Sequence, residues 1–147
     1  MKRVSLSVVS LVLAASLVAS ADAPSVPFKV IVNSRVAGRT MSRDVLAQIY
    51  LGKVSRWTND RVIAPVDLSS TSSVRQAFSE QILGMPVEAV KIHWMRLVTT
   101  RQTNQRPPLS KQADEDVIAF VASEEGGVGY VSLATPVPDT VREVAIQ

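Results

Sequence analysis

From Phe28 onward, short β-branched apolar runs take turns with apolar stripes of helical period, which predicts strands interleaved with helices. Phe28–Asn33 (FKVIVN), set between Pro27 and the polar Ser34 and Arg35, predicts a buried strand. Ser42 then caps a short helix whose Val45, Leu46, Ile49 and Tyr50 share one face, with Gly52 as its stop. Residues 53–61 form a polar turn that carries Trp57. Residues 62–67 (VIAPVD) predict a second strand, in which Pro65 marks an edge or a strand end. A polar stretch, Ser69, Ser70, Thr71, Ser72 and Ser73, leads directly into a helix over 74–83 with Val74, Ala77, Phe78 and Ile82 at helical spacing.

Gly84 ends that helix, and Pro86 opens the longest one, whose stripe is Val87, Val90, Trp94, Leu97 and Val98. Residues 99–111, with Pro107 and Pro108, predict a connecting loop. Asp114, Glu115 and Asp116 place negative charge on the first turn of a further helix with Val117, Phe120 and Val121 inward, and Gly126 and Gly127 end it. Residues 128–133 predict a third strand and residues 141–146 an extended edge. No internal repeat is present, and the alternation predicts an α/β fold: a small mixed sheet flanked by about four helices.

The N-terminus changes the picture of where the chain works. Lys2 and Arg3 precede an apolar run interrupted only by serines, which ends in Ala19, Ser20 and Ala21. This is the pattern of a secretory signal peptide over residues 1–21, leaving one domain over 22–147. The run is shorter than the roughly 20 apolar residues of a membrane span. With Lys2 and Arg3 removed, the formal net charge falls from +3 to +1. Basicity is therefore a targeting signal, and no clustered basic face indicates nucleic acid as a partner. The absence of cysteine excludes a disulfide framework, a thiol nucleophile and a lipid-anchored N-terminal cysteine, so no membrane anchor is expected after cleavage.

The candidate chemistry lies at residues 69–75. A helix N-terminus offers unpaired amides and the positive end of the macrodipole, and the hydroxyls of Ser69, Ser70, Thr71, Ser72 and Ser73 add donors. Arg75 in the first turn opposes the dipole unless an anion lies nearby, which makes it a candidate for the charged half of a phosphate or oxyanion site. The plain alternative is that Ser72 or Ser73 only caps the helix within a solvated loop. Arg96, Arg101 and Arg106 read as ordinary cations at a helix C-terminus, and convergence of the loop around Arg101 and Arg106 with residues 69–75 on one concave surface would favour anion binding. His93 has no second histidine or cysteine to share a metal, and no cofactor is implied. Trp57, Trp94 and Tyr130 read as core or rim residues. No G-x-S-x-G elbow or dinucleotide loop supports an enzyme.

Two landmarks carry a family resemblance. Ile49-Tyr50-Leu51-Gly52-Lys53 followed by Trp57 resembles a stretch of the phosphate ABC transporter substrate-binding proteins, and Val117-Ile118-Ala119-Phe120-Val121 followed by Gly126-Gly127-Val128-Gly129-Tyr130-Val131 resembles their closing stretch. Pro65-Val66-Asp67, Ser72 with Arg75, and Leu83-Gly84 are similar to short, single-lobe relatives of that family. The resemblance implies one lobe of a type II periplasmic solute-binding fold, with the family's phosphate loop falling on residues 68–74, where only Ser69 and Ser72 match it. It also implies a periplasmic or secreted protein. Its expected partners are phosphate or a similar oxyanion, with a transporter or sensor complex or a second copy supplying the opposite wall. The other reading is an interaction module that kept the lobe and lost the ligand.

Overall fold

A computed structural model describes residues 26–147; the signal peptide expected over residues 1–21 lies outside the described residues. Among the described residues, six strands form one mixed sheet: β1 (Phe28–Asn33), β2 (Thr40–Met41), β3 (Ala64–Leu68), β4 (Leu109–Lys111), β5 (Gly127–Ser132) and β6 (Val141–Ile146). Their spatial order is β2-β6-β1-β5-β3-β4. β1 pairs antiparallel with both β5 and β6, whereas β3 runs parallel to β5 and to β4. Four α-helices, α1 (Arg43–Tyr50), α2 (Ser73–Phe78), α3 (Val87–Thr99) and α4 (Asp114–Ser123), make the connections.

The core forms where the predicted runs meet. Ile31, Val32, Val66, Val117, Val121 and Val128 are fully buried, and Tyr50, Phe78 and Tyr130 build an aromatic centre beside them. Phe78 and Tyr130 stack with centroids 3.8 Å apart, and Tyr50 meets Phe78 edge-on at 4.8 Å. The Tyr50 hydroxyl donates to the carbonyl of Val66 at 2.8 Å, so its polar tip is satisfied inside the core.

Several boundaries differ from the sequence reading, each for a local reason. The helix expected over 74–83 becomes α2 followed by a π-helical turn, Ser79–Leu83. Ser79, fully buried, donates its hydroxyl to the Met85 carbonyl at 2.6 Å and ties down the widened turn. The loop expected over 99–111 ends in β4, which pairs in parallel with β3 despite the two prolines before it. Pro107 and Pro108 stop short of the strand, so no ladder donor is lost. α4 stops at Ser123 rather than at the glycines, and Asn33 on β1 donates to the carbonyls of Val121 and Ala122 at 3.0 Å.

The two landmark stretches meet in space. Trp57 Nε1 donates to the Gly126 carbonyl at 3.1 Å, and an added Cβ on Gly126 would lie 1.9 Å from the Val62 carbonyl oxygen. Gly52 has φ +74°, and the Trp94 ring of α3 rests where its Cβ would be. Trp94 Nε1 in turn donates to the Tyr50 carbonyl at 3.0 Å. These contacts fix α3 against the end of α1, and thereby the groove described next.

Candidate functional site

The site is built at the carboxyl end of β3, where parallel sheets place their ligands. Val66, Asp67 and Leu68 are all buried, so Asp67 enters the interior as a charged residue that requires partners. It has three. Arg75 Nε lies 2.9 Å from Asp67 Oδ1, the Leu68 amide donates to the same oxygen at 3.0 Å, and the Tyr130 hydroxyl donates to it as well. The Leu68 amide also approaches the Tyr130 hydroxyl at 3.3 Å.

Burial pushes the Asp67 carboxyl above the ordinary carboxylate range, while Arg75, Tyr130 and the Leu68 amide pull it part of the way back. Burial and the neighbouring Asp67 charge push the Tyr130 hydroxyl far up, so it stays a donor. Arg75 is only 5% exposed, and its Nη1 is buried without a hydrogen-bond partner. One nitrogen of the guanidinium that is paired with Asp67 through Nε is thus left unsatisfied.

Arg75 and Asp67 line a groove of about 640 Å³. Its walls are Val87, Val90, Trp94 and Met95 of α3 and Pro107 and Pro108 before β4, with Ser70 and Ser110 at polar positions. Ser110 is placed there by register, since it pairs with Asp67 across β3 and β4.

Of the six residues singled out from sequence, the groove gathers Ser70 and Arg75. Ser69 and Thr71 bring their hydroxyls within 3.1 Å of each other, and the Ser69 amide donates to the Lys111 carbonyl at 2.8 Å. Ser72 is the N-cap of α2, accepting from the Arg75 amide at 3.3 Å, and Ser73 is the first helical residue and exposed. Arg96, Arg101 and Arg106 are exposed and are not among the lining residues, so only the prolines of that loop converge on the groove. His93 hydrogen-bonds the Leu51 carbonyl at 2.9 Å, and no cluster of metal-ligating side chains occurs among the described residues.

Sequence reasoning did not place Asp67 and Tyr130 in the site. The signal was present: an aspartate closing an otherwise apolar strand must find a cation, and Arg75 follows it across a single loop.

The fold is similar to that of one lobe of solved substrate-binding proteins. The chain is similar to an ABC-type phosphate transport receptor from Vibrio cholerae, at 20% identity and TM-score 0.63, covering 82% of this chain and 46% of that one. It is similar to a phosphate ABC transporter substrate-binding protein from Clostridium perfringens, solved with bound phosphate, at 20% identity and TM-score 0.63, with 82% and 44% covered. PstS from Borrelia burgdorferi aligns at 13% identity and TM-score 0.64, with 82% and 47% covered. The chain therefore spans less than half the length of these structures and has the fold of about one lobe. No family model and no curated protein matches the sequence.

Proposed function

We propose that this is an exported, single-lobe solute-binding protein that takes phosphate or a similar oxyanion weakly in the Arg75 groove. It acts by binding rather than by catalysis, and it works outside the cytoplasm once residues 1–21 are removed. The observation that carries the reading is the buried, unpartnered Nη1 of Arg75 at a groove that Ser70 also lines. The similar structures are transport receptors and substrate-binding proteins, which supports a binding role over an enzymatic one.

Magnitudes set the expected strength. A hydrogen bond to a charged group contributes about 1.5 to 3 kcal/mol, whereas micromolar affinity needs about 8. Arg75 Nη1 is without a partner, and the charge of the guanidinium is already offset by Asp67. Millimolar binding follows for the lobe alone, and tighter capture requires an opposite wall from a transporter, a sensor or a second copy.

Calorimetric titration with inorganic phosphate, with sulfate as competitor, tests this against an Arg75→Lys variant that keeps the charge facing Asp67 and removes Nη1. Saturable heat lost in the folded variant is the expected result. Silence up to high millimolar phosphate in the wild type would reject the reading. A second reading, an interaction module, draws on the apolar rim: Met95, Val98 and Leu109 are all more than half exposed beside the groove. Under it, the groove face receives another exported protein and phosphate produces no heat.

A further inference from the structure

The groove is chemically two-sided. Arg75 and Asp67 line one part, while the longer wall is mainly hydrocarbon: Val87, Val90, Trp94, Met95 and Val98 of α3 with Pro107 and Pro108, the charged Glu88 and Lys91 of α3 completing it. Val90 and Trp94 are buried in the core, but Met95 and Val98 are 61% and 51% exposed. The sequence stripe of α3 is therefore only half used in holding the fold. The rest faces the cavity.

The electrostatics discriminate between ligands. Asp67 lies 2.9 Å from the Arg75 Nε and cancels much of its charge, so a fully hydrated ion gains little attraction in return for losing its water. What remains is a guanidinium whose buried Nη1 has no partner, in a groove whose lining is otherwise largely apolar but also includes Lys91, Ser70 and Ser110. A ligand matched to both has an oxygen acceptor at one end and a hydrocarbon body at the other. Ligand sites in general combine an apolar lining with a few polar anchors that fix orientation, and a volume of about 640 Å³ is ample for such a molecule.

We infer that the Arg75 groove accepts an aliphatic monocarboxylate, its carboxylate at the Arg75 guanidinium and its chain along Val87, Met95 and Val98 of α3. The inference rests on the reading that this groove is the ligand site, and it names the class of ligand that fills it. Hydrocarbon burial supplies most of the affinity and Arg75 sets the orientation.

The test is calorimetry on the protein with acetate, butyrate and hexanoate, beside 1-hexanol and inorganic phosphate. Affinity should rise about fourfold for each methylene added, the change expected from burying one CH₂. Hexanoate should bind about tenfold more tightly than 1-hexanol, in line with a hydrogen bond to a charged donor. A Met95→Gln, Val98→Thr variant, altered only at exposed positions, should flatten the series and leave its melting temperature unchanged. A flat series in the wild type, or 1-hexanol equal to hexanoate, overturns the inference. If phosphate still saturates in that case, the oxyanion reading survives alone; if neither phosphate nor any carboxylate binds, both readings fail together.

Discussion

Asp67 Oδ1 and Arg75 Nε stand 2.9 Å apart with both side chains almost wholly withdrawn from water, joining the end of β3 to the first turn of α2. The pair pins the loop between them, residues 69–72. Breaking a buried pair leaves a lone charge and costs about 3 to 5 kcal/mol, whereas replacing both partners by apolar residues costs far less. Arg75→Ala and Asp67→Ala should therefore each destabilise by that amount, and the double variant by clearly less than the sum. Urea denaturation of the four proteins in a double-mutant cycle measures the coupling.

Tyr130→Phe removes a donor from Asp67 and keeps the ring stacked on Phe78. The loss should be about 1 to 3 kcal/mol, the cost of leaving a buried polar group short of a partner. Phe78→Ala, which empties the aromatic centre, should cost about 3 to 5 kcal/mol. Thermal unfolding followed by circular dichroism separates the two.

The Asp67 carboxyl sits above the ordinary range because of burial, which fixes the sign of its pH dependence. Its folded form holds the proton more tightly than the unfolded chain, so its contribution to stability is fully present below the unfolded value of about 3.9. That contribution is lost as pH rises through the higher folded value. Carbon-detected NMR of the side-chain carboxyl should give a midpoint above that of a free aspartate, and a midpoint at or below it would contradict the assignment.

Ser72 caps α2 through its hydroxyl, so Ser72→Ala should destabilise by about 1 kcal/mol. Its effect on stability should be matched by that of no other residue in the serine run, since Ser70 and Thr71 are exposed. Guanidinium denaturation of single alanine variants at 70, 71 and 72 checks this ordering.

Much of this was legible in the chain. The β-branched run at Phe28–Asn33, the cap at Ser42 and the acidic first turn at Asp114 each carried a local signal, and each marks an observed element. β4 carried none: three residues after two prolines become a strand only because β3 offers a free edge. The π-helical turn at Ser79–Leu83 is likewise set by a tertiary demand, the packing of Ile82 and Leu83 into the core. The candidate groove was half legible. Arg75 stood out by its place in the first turn, yet its partner Asp67 and the groove wall of α3 depend on which strand lies beside which, a relation between distant segments that periodicity does not encode.

The central claim is that the Arg75 groove is the ligand site of this lobe, and side-chain NMR addresses it most directly. In a titration with inorganic phosphate, the Arg75 Nε–Hε resonance and the amides of Ser70 and Ser110 should shift together with one saturating millimolar midpoint. Shifts confined to the exposed Arg96, Arg101 and Arg106, or no saturable shift at Arg75, would contradict it.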